Sequence, residues 1–200
     1  MRLTLGTHKW PIAIVLFLIL CLPWVREWLE ASMTLHMLVQ FPLLIGVGWV
    51  VGRGLPHRIT TWLDEWNCNG ITGVVIVTTV TTVWMLPSML DMAATNVLVD
   101  VLKYVTLPLL VGVPMVVSWP RMGFVLRGVF ISEFIAMFFR LGWLYLILPT
   151  RVCNNYLLDD QQVGGKLMLV IGCVLVLVVA IKLIWGSFES LTTEDIVHEN

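Results

Sequence analysis

Six stretches of this chain are apolar over nearly the length needed to cross a bilayer, and no other feature constrains the fold as much. A hydrocarbon core about 30 Å thick takes about 20 mostly apolar residues as a helix. The stretches lie at about 10–25, 31–52, 70–90, 96–118, 124–148 and 163–185. Backbone polar groups in lipid must pair within their own segment, so each should be helical. Composition agrees: 58% of the residues are hydrophobic and 12% charged, against about 25% charged in a soluble domain. The expected class is an all-α membrane protein. It would form one domain, a bundle of six transmembrane helices followed by a tail over 186–200. A net charge of −1 offers nothing to a nucleic-acid backbone.

The first stretch is the weakest. Its basic start and short apolar run also resemble a signal peptide, although no small-x-small site follows. Retained, it would be an anchor and packing partner. Cysteines at 21, 68, 153 and 173 form no CxxC pair, so neither a disulfide framework nor a thiolate metal site is expected. Arg2, Lys9, Arg53, Arg58, Arg121, Arg127 and Lys182 fall on one side, and Arg26, Arg151 and Lys166 on the other. That bias predicts both termini in the cytoplasm. In the loop at 53–69, Ile59, Trp62, Leu63 and Trp66 recur at helical spacing and predict a short helix lying in the interface.

The outer ends of the second and third helices read "SMTLHMLVQ" and "WMLPSMLDMA". They hold Met33, Met37, Met85, Met89 and Met92, five of the ten methionines, together with His36. Thioether and imidazole suit the soft cation Cu(I). Residues three and four apart share a helix face, so His36, Met37, Met85 and Met89 are candidate ligands, with Asp91 tuning the charge. Pro42 and Pro87 each remove a backbone bond and should bend their helices near this end. The simpler reading of the stripe is packing, because methionine fills irregular cores.

Charges inside the spans need partners, since one at the bilayer centre costs about 2.5–3.5 kcal/mol on insertion scales. Asp100 and Lys103 lie in the fourth stretch, and Glu133 and Arg140 in the fifth. At 1.5 Å per residue, Lys103 and Arg140 sit roughly 10 and 12 Å below the outer ends of their helices. Asp100 and Asp91 are the expected counter-ions of Lys103 and Arg140, and Glu133 is left without an obvious partner. Structural ion pairs are favoured over an ion path, because the inner halves carry almost no ionisable groups.

Three segments, "LLDDQQVGGKLM", "HMLVQ" and "WMLPSMLD", together resemble the CtaG-type cytochrome c oxidase assembly family. "LLDDQQVGGKLM" is similar to that family's Asp-Gln-x-x-x-Gly-x-x-Met, matched by Asp160, Gln161, Gly165 and Met168. "HMLVQ" resembles His-Met-x-x-His, with Gln40 at the second histidine. "WMLPSMLD" resembles Trp-His-x-Pro followed by an aspartate, with Met85 at the histidine. The family also has histidines at the start of the next helix, where Asp100 or Tyr104 stands here. The resemblance implies an assembly or accessory protein for a haem–copper oxidase, in a bacterial or archaeal plasma membrane. Its partners would be oxidase subunits or another respiratory complex. Two forms stay open: transient Cu(I) holding, or a metal-free structural subunit. A transporter is disfavoured by the lack of inverted repeats and of a midplane polar site. An enzyme is not expected, since there is no nucleophile–base pair, phosphate loop or complete metal triad.

Overall fold

The computed structural model describes residues 10–67, 69–148 and 156–185, the side chain of Asp64 excepted. Arg2, His8, Lys9, Cys68, Arg151, Cys153 and the tail with His198 lie outside the described residues. Among the described residues every regular element is a helix.

Proline decides where the helices bend. Trp10–Cys21 (α1) and Pro23–Glu30 (α2) meet at 69°. Pro23 has no N–H to continue the ladder, and it holds Leu22 extended at φ −64°, ψ 132°. Met33–Arg53 (α3) runs on through Pro42, but widens into a π turn over His36–Gln40 two residues before that proline. A wider turn accommodates the ring that would crowd the carbonyl of Leu38. His57–Trp66 (α4) is the short helix expected in the loop, with Ile59, Trp62 and Trp66 exposed. Ile71–Trp84 (α5) and Pro87–Thr95 (α6) meet at 68°. Pro87 thus breaks the third helix outright, where a kink was expected. Val97–Arg121 (α7) repeats the device of α3: a π turn over Leu107–Gly112, two residues before Pro114.

Phe124–Ile147 (α8) and Leu158–Trp185 (α9) are the last two helices among the described residues. The last helix begins ahead of its expected start at 163. Asp159 and Asp160 lie in its first turn, where carboxylates favour the helix dipole.

Among the described residues three helices, α3, α7 and α9, are long and apolar enough to cross a membrane, or up to five if each bent pair counts as one span. The fifth expected span, α8, is a continuous helix of 24 residues but carries Arg127, Glu133 and Arg140, and it falls outside that set.

At the centre, α3 packs between α1 and α7, and α5 covers the other side of α7. The α3–α7 contact is backbone on backbone. A Cβ on Gly48 would lie 2.0 Å from the Pro108 carbonyl oxygen, and one on Gly112 2.4 Å from that of Ile45. Small residues permit this approach where lipid gives helices no hydrophobic reason to associate. The α8–α9 hairpin packs on itself in the same way, through Gly142 and Gly165. It joins the bundle mainly where α9 meets the start of α3.

Candidate functional site

The bend at Pro23 folds α2 back against the π turn of α3. That carries Arg26 and Glu30 toward Lys103, the one fully buried cation among the described residues, whose side chain has 0% exposure. The lysine Nζ lies 2.8 Å from Glu30 Oε1, 3.2 Å from Gln40 Oε1 and 3.2 Å from His36 Nε2. An ammonium has three N–H donors, and these three acceptors use them. Asp100 Oδ1, one helical turn back on α7, completes an ion pair at 2.9 Å without receiving a hydrogen bond. Arg26 closes the ring, with Nη1 at 3.0 Å from Asp100 Oδ2 and Nε at 3.3 Å from Glu30 Oε2. Two cations and two carboxylates therefore cancel. Arg26, the most exposed of the four at 35%, marks the wet edge.

The neutral partners extend the network. Since Lys103 donates to Nε2, the ring proton of His36 belongs on Nδ1, which donates to the Tyr156 hydroxyl at 2.9 Å. Gln40 Nε2 donates to the Tyr104 hydroxyl at 2.8 Å, and that hydroxyl donates to the Leu20 carbonyl at 2.9 Å. Leu20 stands beside the break at Pro23, where carbonyls lose their helical donors. His36, Gln40, Asp100 and Lys103 are all buried, with Tyr104 and Tyr156 nearly so.

The expected pair Asp100–Lys103 is thus present. Arg140 pairs with Glu133 on its own helix, so the group left without a partner in the sequence reading takes the arginine that had been matched to Asp91. Both side chains of that pair are largely exposed, at 62% and 47%.

The candidate methionines lie on three helices, α3, the end of α5 and α6. Met33 and Met37 are buried on α3, and the Met37 sulfur accepts the Tyr145 hydroxyl at 3.8 Å. Met85 ends α5 in the apolar core, and Met89 is half-buried against it on α6. Met92 is 45% exposed. The helix carrying Met89 and Asp91 packs chiefly on α7 and α5, whereas the turn carrying His36 and Met37 packs on α2. No three His, Cys, Asp or Glu side chains form a metal-ligating group among the described residues.

Sequence reasoning missed Arg26 and Glu30, which read as loop residues between two straight spans. Their one signal was i,i+4 spacing of opposite charges in a short amphipathic segment, "WVREWLE". The chain matches no protein-family model, no curated protein and no solved structure.

Proposed function

We propose that this chain is an integral-membrane accessory protein of a respiratory complex, organised around a metal-free ion network and acting through helix contacts. This is the metal-free form of the role implied by the resemblance to the oxidase assembly family. One observation carries it. Three of the positions that the resemblance aligns with histidine ligands or their neighbours, His36, Gln40 and Tyr104, meet at one place, and Lys103 occupies their centre.

These residues do not fit a Cu(I) centre. Both ring nitrogens of His36 are engaged, one of them by a cation 3.2 Å away. The amide of Gln40 is engaged at both ends. A second cation placed here would be repelled by the first in a medium of low dielectric. In this reading the ammonium supplies in place the positive charge that a metal would bring. In this reading α1–α2, α5–α6 and α8 would join as spans the three long apolar helices, which with the two bent pairs account for up to five by length and apolarity.

The test is purification in mild detergent under reducing conditions, followed by Cu(I) loading. Wild type and Met85→Leu/Met89→Leu should both hold copper at background and co-purify with their complex in a fixed ratio. Near-stoichiometric copper in wild type, lost in the double variant, would replace this reading with transient Cu(I) holding by Met37, Met85 and Met89.

A further inference from the structure

A second feature lies on the opposite side of α3 from the ion network. A cavity of about 310 Å³ opens between α3, α5, α7 and α8. That is at the lower end of the volumes typical of small-ligand sites. Its wall includes Gly46, Trp49, Thr81, Met115, Phe130 and Glu133. The wall is almost wholly apolar, yet polar groups sit at defined places in it. Thr81 is buried at 8% exposure, and its hydroxyl has no hydrogen-bond partner among the described residues. Thr81 lines the cavity, and an unpaired hydroxyl in an apolar wall gains from any oxygen that reaches it. Glu133, whose carboxylate pairs with Arg140, is also among the lining residues.

Depth identifies the occupant. Gly46, Thr81 and Glu133 each fall near the middle of their segments, Met33–Arg53, the bent pair Ile71–Thr95, and Phe124–Ile147. Lipid headgroups lie about 15 Å from that level, half the hydrocarbon thickness. An acyl chain reaches it but brings no oxygen. A flat ring with carbonyl or hydroxyl oxygens brings both an apolar face for Trp49 and Phe130 and a partner for Thr81.

We propose that this cavity binds a lipid-soluble ring compound of the quinone or quinol class, with one ring oxygen on the Thr81 hydroxyl and the ring between Trp49 and Phe130. Only binding is proposed, and it does not depend on the accessory role above.

The test places the full chain in phosphatidylcholine nanodiscs and photolabels it with an azido-substituted benzoquinone, using decylubiquinone as competitor. Two variants probe the two halves of the proposal. A Cβ at Gly46 would meet nothing within 4 Å, so the backbone there admits a side chain and Gly46→Leu is the variant that occupies the cavity. Thr81→Val removes the hydroxyl at constant shape. Saturable labelling of peptides from α5 or α8 is expected, reduced about tenfold by Gly46→Leu. Thr81→Val should raise the competitor concentration needed for half-displacement about three- to tenfold, the worth of one hydrogen bond. Labelling that does not saturate, or that Gly46→Leu leaves unchanged, overturns the site. Labelling blocked by Gly46→Leu but indifferent to Thr81→Val overturns the ring-oxygen contact and assigns the cavity to an acyl chain. Should Gly46→Leu fail to fold, Thr81→Val alone decides, since it leaves the volume intact.

Discussion

Replacing Lys103 by methionine is the most direct probe of the ion network. The lysine is wholly buried, and four acceptors surround it within 3.2 Å. Methionine matches its length and removes its charge. Glu30 and Asp100, 13% and 3% exposed, would then share a single cation, Arg26, which is turned partly outward. The network passes from neutral to one net negative charge in a low-dielectric place. Removing one partner of a buried ion pair costs about 3–5 kcal/mol, because the other charge is left uncompensated. For a chain of this size each kcal/mol moves Tm by about 2–4 °C, so the variant should melt about 6–20 °C lower. The assay is thermal unfolding in detergent, followed by helical circular dichroism. A second substitution fixes the interpretation. Lys103→Met combined with Asp100→Asn restores a net charge of zero and should recover at least half of the loss. A single variant within about 2 °C of wild type would refute the network as a stabilising element. So would a double variant no better than the single.

Other substitutions test separate parts of the structure. Tyr156→Phe removes the hydroxyl that accepts from His36 Nδ1, leaving a buried N–H unpaired, and should cost about 1–3 kcal/mol in the same unfolding assay. Gly48→Val places a side chain where the Pro108 carbonyl already stands, so α3 and α7 must separate; destabilisation of at least about 1–3 kcal/mol is expected, and an unchanged Tm would contradict the backbone contact. Met85→Leu, in the apolar core, should cost less than about 1.5 kcal/mol. Trp62→Ala with Trp66→Ala removes the exposed aromatic face of α4 and should lower protection of that helix in hydrogen exchange within vesicles, leaving the rest of the bundle unchanged.

Hydropathy and residue spacing determined much of this protein without reference to any fold. Apolar length placed the helices, because lipid demands that each segment satisfy its own backbone. The spacing of Ile59, Trp62 and Trp66 located α4, and three residues between Asp100 and Lys103 already placed that pair on one face of α7. Local rules suffice for such features because their partners are close in the chain.

The site depended on distant residues and angles. Glu30 and Lys103 are 73 residues apart, and His36 and Tyr156 are 120 apart. A proline signals a disturbance but not its form. Pro42 was absorbed by a π turn, whereas Pro23 and Pro87 broke their helices by 69° and 68°. The break at Pro23 turned Arg26 and Glu30 from loop residues into counter-ions, and the one at Pro87 put Met89 on a separate helix that packs chiefly on α7 and α5. Glu133 and Arg140 met on one helix because seven residues make two turns, so their pairing is local although Arg140 was expected to reach Asp91 on another helix. Tertiary structure therefore decided which buried charges face one another, since that depends on bends and rotations set by packing over the whole bundle.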